Sequence, residues 1–141
     1  MIANVKGVEF PIRGDERGYL IPLEAESEFI PFEIKRVYYI FDTMHGVVRG
    51  KHAHKTNKQM LICVNGACTV TCELPNGTCT EYRLDRPSKG LLIEGMVWHE
   101  LREFSEGAVL LVISSELYSE SDYIRDYNQF ESYKAVWNDR G

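Results

Sequence analysis

Gly46-Val47-Val48-Arg49-Gly50-Lys51-His52-Ala53-His54-Lys55-Thr56-Asn57-Lys58-Gln59-Met60-Leu61-Ile62-Cys63-Val64-Asn65-Gly66 is the stretch that decides how this chain is read. Two histidines separated by one residue on an extended strand project to the same face, so both imidazoles enter the same space. Gln59 opens the next apolar run and can lie across from them. Asn65-Gly66 closes that run, and Asn-Gly between apolar segments is a strong hairpin signal. Burying two imidazoles side by side is an expensive way to fill a core, because each brings polar atoms that need partners. The pair is therefore read as functional.

The rest of the chain has the same texture. Val37 to Phe41, Thr69 to Glu73, Gly90 to Ile93 and Ala108 to Ile113 are further β-branched or aromatic runs, separated by Pro75-Asn76-Gly77-Thr78 and Ser105-Glu106-Gly107. Many short strands at this spacing predict an all-β barrel or sandwich. The tail changes period: from Ser121 onward Tyr123, Ile124, Tyr127, Phe130 and Trp137 fall near helical spacing, with Ser119 and Asp122 as a capping pair. The predicted organisation is one domain over residues 1–141: a β arm to about 35, a barrel over about 36–118, and a C-terminal helix over about 119–138.

Bulk properties narrow the function classes. A net charge of −5 with scattered basic residues speaks against a nucleic-acid partner. No apolar run approaches the roughly 20 residues needed to cross a bilayer, and the N-terminus lacks a signal-peptide apolar stretch, so the expected location is the cytoplasm. Cys63, Cys68, Cys72 and Cys79 form no C-x-x-C pair; Cys68 and Cys72 would stand roughly 13 Å apart on a strand, too far for a disulfide.

Gly46, His52, His54, Gln59 and Gly66 resemble the first cupin motif in spacing, and Gly95-Met96-Val97-Trp98-His99 resembles the second more loosely. The resemblance implies a cupin, or double-stranded β-helix jelly roll, with His99 joining the pair. Gln59 stands where metal-binding cupins usually carry glutamate, and Glu94 stands about where the second motif has proline. Glutamine brings no charge to offset an ion, so no metal and no other cofactor is expected. Arg17, Arg36 and Arg49 fall near the predicted barrel mouth and suit an anionic ligand, because guanidinium pairs bidentately with phosphate.

Ile34 to Asp42, Arg49-Gly50-x-His52-Ala53-His54-Lys55, Val97-Trp98-His99-Glu100 and Asp122 to Tyr127 together are similar, in order and over nearly the whole chain, to the dTDP-4-keto-6-deoxy-D-glucose 3,4-ketoisomerases. Those small cupin isomerases feed bacterial deoxyamino-sugar pathways. The resemblance implies a homodimer that exchanges N-terminal strands and a dTDP-linked 4-keto-6-deoxy sugar as substrate. It places catalysis on His52 and His54, a supporting phenol on Tyr38 or Tyr39, and Arg49 beside the histidines. It makes Arg17 and Arg36 pyrophosphate contacts, with Gln59, Trp98 and His99 lining the substrate site. Imidazole, with an ordinary pKa near 6.5, suits proton transfer through an enediol at neutral pH. Three alternatives stay open on sequence alone: a sugar-nucleotide 3,5-epimerase, a metal-dependent cupin, and a sugar-nucleotide-binding cupin without catalysis.

Overall fold

The computed structural model describes residues 3–139. Its strands, in chain order, are β1 (Asn4–Glu9), β2 (Arg13–Asp15), β3 (Gly18–Leu20), β4 (Arg36–Ile40), β5 (Arg49–His54), β6 (Gln59–Asn65), β7 (Cys68–Glu73), β8 (Cys79–Leu84), β9 (Lys89–Glu94), β10 (Trp98–Arg102), β11 (Val109–Ser114) and β12 (Tyr123–Ile124). One helix, α1 (Tyr127–Asp139), follows. The strands make two five-stranded antiparallel sheets, ordered β1-β9-β6-β11-β4 and β12-β5-β10-β7-β8, while β2 and β3 form a separate hairpin. This is the expected cupin jelly roll.

Strand alternation sorts the side chains into three layers. Leu61, Cys63, Leu91, Ile93, Leu110 and Val112 of the first sheet face Cys68, Val70, Cys72, Leu84 and Leu101 of the second and form the interior core. Met60, Ile62, Leu92 and Ile113 point the other way and are covered by Phe10, Ile30 and Phe32 from the N-terminal arm. On the far side of the second sheet, Ala53, Met96, Trp98 and Ile124 pack against Phe130 of α1. Within this chain β1 pairs with β9, from Asn4 opposite Glu94 to Glu9 opposite Lys89.

The C-terminal segment departs from the periodicity reading. Residues from about 119 are not yet helix: a 3-10 turn spans Glu120–Asp122, and Tyr123–Ile124 pairs with His54 and Ala53 of β5. Ser119 makes no side-chain cap bond, and the Asp122 carboxylate is taken up by Thr56, Asn57 and His54 instead. The helix begins only after Asp126, whose Oδ1 accepts from the Asn128 N–H at 2.9 Å in the geometry of an N-cap. Tyr127 and Phe130 keep their helical places; the side chain of Trp137 lies outside the described residues. The strand β10 was also not expected as a strand, because Trp98-His99-Glu100-Leu101-Arg102 is half charged or polar and lacks β-branched residues.

Gly66, in the β6–β7 turn, holds φ +72, and a Cβ there would come within 2.5 Å of Ser105 Oγ and 3.1 Å of Ala108 Cα. Ser105 Oγ is itself fixed by accepting from the Ala67 N–H at 2.9 Å. Gly66→Ala is expected to destabilise the fold by about 1–3 kcal/mol, read as a lower urea midpoint at unchanged m-value.

Candidate active site

Strand β5 carries the site, and its pairing with β10 assembles it. His99 sits directly opposite His52 in the register, which then shifts so that Leu101 faces Arg49. Gly50, at φ +61, takes up this irregularity, as glycine does in a β-bulge. Tyr123 of β12 pairs with His54 on the other edge of β5. Three imidazoles and one phenol therefore occupy the same inner surface. The His52 ring lies 4.8 Å from His54, 4.5 Å from His99 and 4.9 Å from Tyr123, and the His54 ring lies 4.4 Å from Tyr123. The predicted shared face for His52 and His54 is what the strand produces.

A cavity of about 480 Å³ opens onto this surface. His52 and His99 line it, with Gln59, Tyr38, Tyr123, Arg36, Arg49 and Arg125. His54 is set one layer deeper and is 3% exposed. Gln59 Nε2 donates to the Tyr38 hydroxyl at 3.3 Å, so the phenol's own proton is free to be donated into the cavity. Burial, chiefly, raises the Tyr38 pKa and keeps it a neutral donor. The Arg36 guanidinium stands 4.5 Å over the Tyr38 ring, and that of Arg125 stands 4.2 Å over the Tyr123 ring. Arg125 is paired with Glu120, whereas Arg36 and Arg49 make no ion pair among the described residues. Two free guanidinium groups in one cavity favour an anion.

The imidazoles are held neutral. Burial, reinforced by His99, His54 and Arg125, pushes His52 down to about 2. Burial pushes His99 down to about 3, and its Nδ1 sits 3.3 Å from the Val97 carbonyl. Burial lowers His54 too, but there Asp122 opposes it, with Oδ2 at 3.1 Å from Nδ1.

Three residues in the cluster offer nitrogen ligands within 4.8 Å of one another, the donor set of a divalent-ion site. The surroundings do not fit one. Gln59 supplies no charge, and the three arginines around the cavity would add repulsion to the cost of desolvating the ion.

Of the residues expected at the site, His52, His54, His99, Tyr38, Gln59, Arg36 and Arg49 come together. Tyr39 lines the cavity only at its rim, where it alternates outward beside Phe41 and is 63% exposed. Trp98 precedes His99 and so faces away from that cavity, against Tyr127 and Phe130, with Nε1 donating to Glu100 at 3.0 Å. It lines a larger cleft of about 600 Å³ outside the barrel. There Glu73 pairs with Tyr127 and Lys134 and Glu100 with Arg102, and no histidine lines the cleft. Arg17 pairs with Asp15 at the tip of the β2–β3 hairpin and is not among the cavity residues of its own chain. Sequence reasoning missed Asp122, Tyr123 and Arg125 as site residues. They belong to the Asp122–Tyr127 run already noted for its resemblance, but helical periodicity concealed the strand that brings them in.

An inner wall of imidazoles and phenols with an arginine-lined mouth, built on a cupin barrel, suits proton transfer on an anionic ligand. The chain belongs to the FdtA family (WxcM-like, C-terminal), whose model matches residues 3–135. It is 48% identical over 124 residues to the TDP-4-oxo-6-deoxy-alpha-D-glucose-3,4-oxoisomerase of Aneurinibacillus thermoaerophilus, covering 88% of each chain. Its structure is similar to a 3,4-ketoisomerase from Helicobacter canadensis (TM-score 0.88, 43% identity, 94% of this chain and 98% of that one). It is also similar to a variant of the 3,4-ketoisomerase QdtA from Thermoanaerobacterium thermosaccharolyticum in complex with TDP-4-keto-6-deoxyglucose (TM-score 0.90, 40% identity, 96% and 97%).

The depressed imidazoles couple stability to pH. His52 and His99 are neutral when folded but titrate near 6.5 when unfolded, so the unfolded chain binds more protons below that value. Their contribution is complete above about pH 7 and is lost as pH falls from 6.5 toward 3. Lowering pH from 7.5 to 5.5 is expected to cost about 1.4 kcal/mol per histidine, about 3 for the two, in urea unfolding. His99→Gln should flatten that dependence by about half.

Proposed function

We propose that this chain is a 3,4-ketoisomerase that converts dTDP-4-keto-6-deoxy-D-glucose to a dTDP-3-keto-6-deoxyhexose. The observation that carries the reading is the neutral imidazole cluster at the wall of an arginine-lined cavity. The relatives named above, with their printed activities and ligand, support it.

The chemistry follows from the groups present. A ketone at C4 acidifies the proton on C3. A neutral imidazole removes it and an enediolate forms with its charge on the C4 oxygen; that oxygen takes a proton, the C3 hydroxyl gives one up, and return of a proton to C4 leaves the carbonyl at C3 and a hydroxyl at C4. His52, at the cavity wall, is the histidine that meets the ring, and His54 stands behind it. Tyr38 donates to the oxygen on which charge develops, and Arg49 stabilises that charge electrostatically. Arg36, with its guanidinium unpaired, takes the pyrophosphate. Gln59 and His99 complete the wall. No cofactor is required, because the substrate ketone itself is the electron sink.

The working form is a homodimer in the cytoplasm. Ile12, Tyr19, Leu20, Val37, Tyr39 and Phe41 are large apolar side chains left more than half exposed on the hairpin and on edge strand β4, and a second copy would cover them. Exchange of the N-terminal hairpin would also carry Arg17 to the partner's cavity, where it would join Arg36 on the diphosphate.

Incubation with dTDP-4-keto-6-deoxyglucose in deuterated water tests the activity by NMR. The expected result is a 3-keto product; recovery of unchanged substrate contradicts the reading. His52→Asn and His54→Asn should each lower kcat by about 10²- to 10⁴-fold. The dimer is tested by sedimentation: the parent chain should run as two copies, and the double variant Leu20→Glu, Tyr39→Glu as one.

A further inference from the structure

The two histidines of the motif differ in what holds them, and the difference lies in a residue outside the barrel strands. Asp122 belongs to the 3-10 turn Glu120–Asp122 and reaches back over the β5–β6 connection. Its Oδ1 accepts from the Thr56 N–H and the Thr56 hydroxyl, each at 2.8 Å, and its Oδ2 accepts from the Asn57 N–H at 3.2 Å. The Asp122 N–H donates to the Ser119 carbonyl, and its own carbonyl accepts from the Lys55 N–H, each at 3.0 Å. A carboxylate tied at so many points has one orientation. What remains of Oδ2 points at His54 Nδ1, at 3.1 Å. Burial would raise the Asp122 pKa, but the bonds from Thr56 and Asn57 outweigh it and leave the group an anion at neutral pH.

A carboxylate without a proton can only accept, so His54 Nδ1 must be the donor and its proton sits there. His54 Nε2 is then a bare lone pair, and it is buried without a hydrogen-bond partner. His52 Nε2 is likewise buried and unpartnered, and the ligand nitrogens of His52, His54 and His99 lie within 4.8 Å of one another. The groups facing His54 are His52 on its own strand, His99 from β10, Tyr123 from β12, and the charges of Asp122, Arg125 and Arg36. Of these, Asp122 alone is an anion.

We propose that Asp122 is a positioning residue for the isomerisation: it holds His54 with its proton on Nδ1 and thereby presents a bare Nε2 to the imidazole cluster. This rests on the ketoisomerase reading and divides the labour within it. His52 meets the sugar at the cavity wall. His54 is the one imidazole whose protonated form has an anion beside it, so it is where a proton carried inward from the wall is held until it returns to the substrate. Asp122 touches neither sugar nor reacting atom and acts through His54. The protons balance: the one that leaves C3 enters the cluster and one goes back to C4, while the C3 hydroxyl gives up its proton as the C4 oxygen gains one.

The test has a part that needs no substrate. Nitrogen-15 NMR of the imidazoles in the whole protein at pH 7.5 should show His54 protonated at Nδ1 and bare at Nε2. Proton on Nε2 overturns the proposal. In Asp122→Asn the carboxamide keeps an acceptor for Thr56 but can donate to Nδ1, so the His54 proton should move to Nε2. With substrate, Asp122→Asn should lower kcat at least about 100-fold with KM within about threefold. The acid limb of its residual kcat/KM profile should move to lower pH, because the charge that supported imidazolium is gone. Asp122→Glu should recover part of kcat. A merely structural role would lower the melting temperature yet leave the tautomer and the pH profile in place, and that outcome overturns the proposal. If the parent protein turns over no dTDP-4-keto sugar, the ketoisomerase reading fails instead; if it does and Asp122→Asn matches it, this inference fails alone.

Discussion

The structure depends on the pairing of β5 with β10, which sets His99 opposite His52 and buries three imidazoles against one another. Such a cluster resists charge, since an imidazolium there would be desolvated and beside two further polar rings, and only at His54 does an anion, Asp122, oppose that cost. The surrounding features answer to that constraint. The interior core of Leu61, Leu91, Val97 and Leu101 keeps water from the far side. Gly50 lets the strand bulge so that Arg49 and His52 can both reach the cavity. Tyr123 closes the outer edge over both rings.

Neutral bases beside free guanidinium groups suit a substrate that brings its own negative charge. A nucleoside diphosphate entering the mouth would satisfy Arg36, and the sugar beyond it would meet Arg49 and bases that are not competing for a proton at neutral pH. The same positive field that draws the diphosphate disfavours a dication at the histidines. Asp122 is the one anion within the cluster, and it is placed on the side away from the cavity, where it tunes an imidazole without repelling the ligand.

Most of this could be read from the chain before folding was considered, and the exceptions have physical causes. The i,i+2 period of a strand made the shared face of His52 and His54 certain once that stretch was taken as extended. Asn65-Gly66 and the β-branched runs marked the barrel. Period-two logic also implied that one of Tyr38 and Tyr39, and one of Trp98 and His99, must face outward, but spacing alone does not say which. Register does, through Tyr38 opposite Val112 and His99 opposite His52. The tail was misread because Tyr123, Ile124, Tyr127 and Phe130 satisfy a helical period while the first two pair as a strand. Long-range bonds from Asp122 to Thr56, Asn57 and His54 outweighed the local preference for a helix cap, and no window of local sequence contains those partners.

The most direct test of the account is where the sugar lies. A crystal structure of the His52→Asn variant soaked with dTDP-4-keto-6-deoxyglucose should place C3 and C4 of the hexose against residue 52 inside the barrel, with the diphosphate on Arg36 and its neighbours. Hexose density in the outer cleft between Trp98 and Tyr127, with the barrel cavity filled only by water, would contradict it.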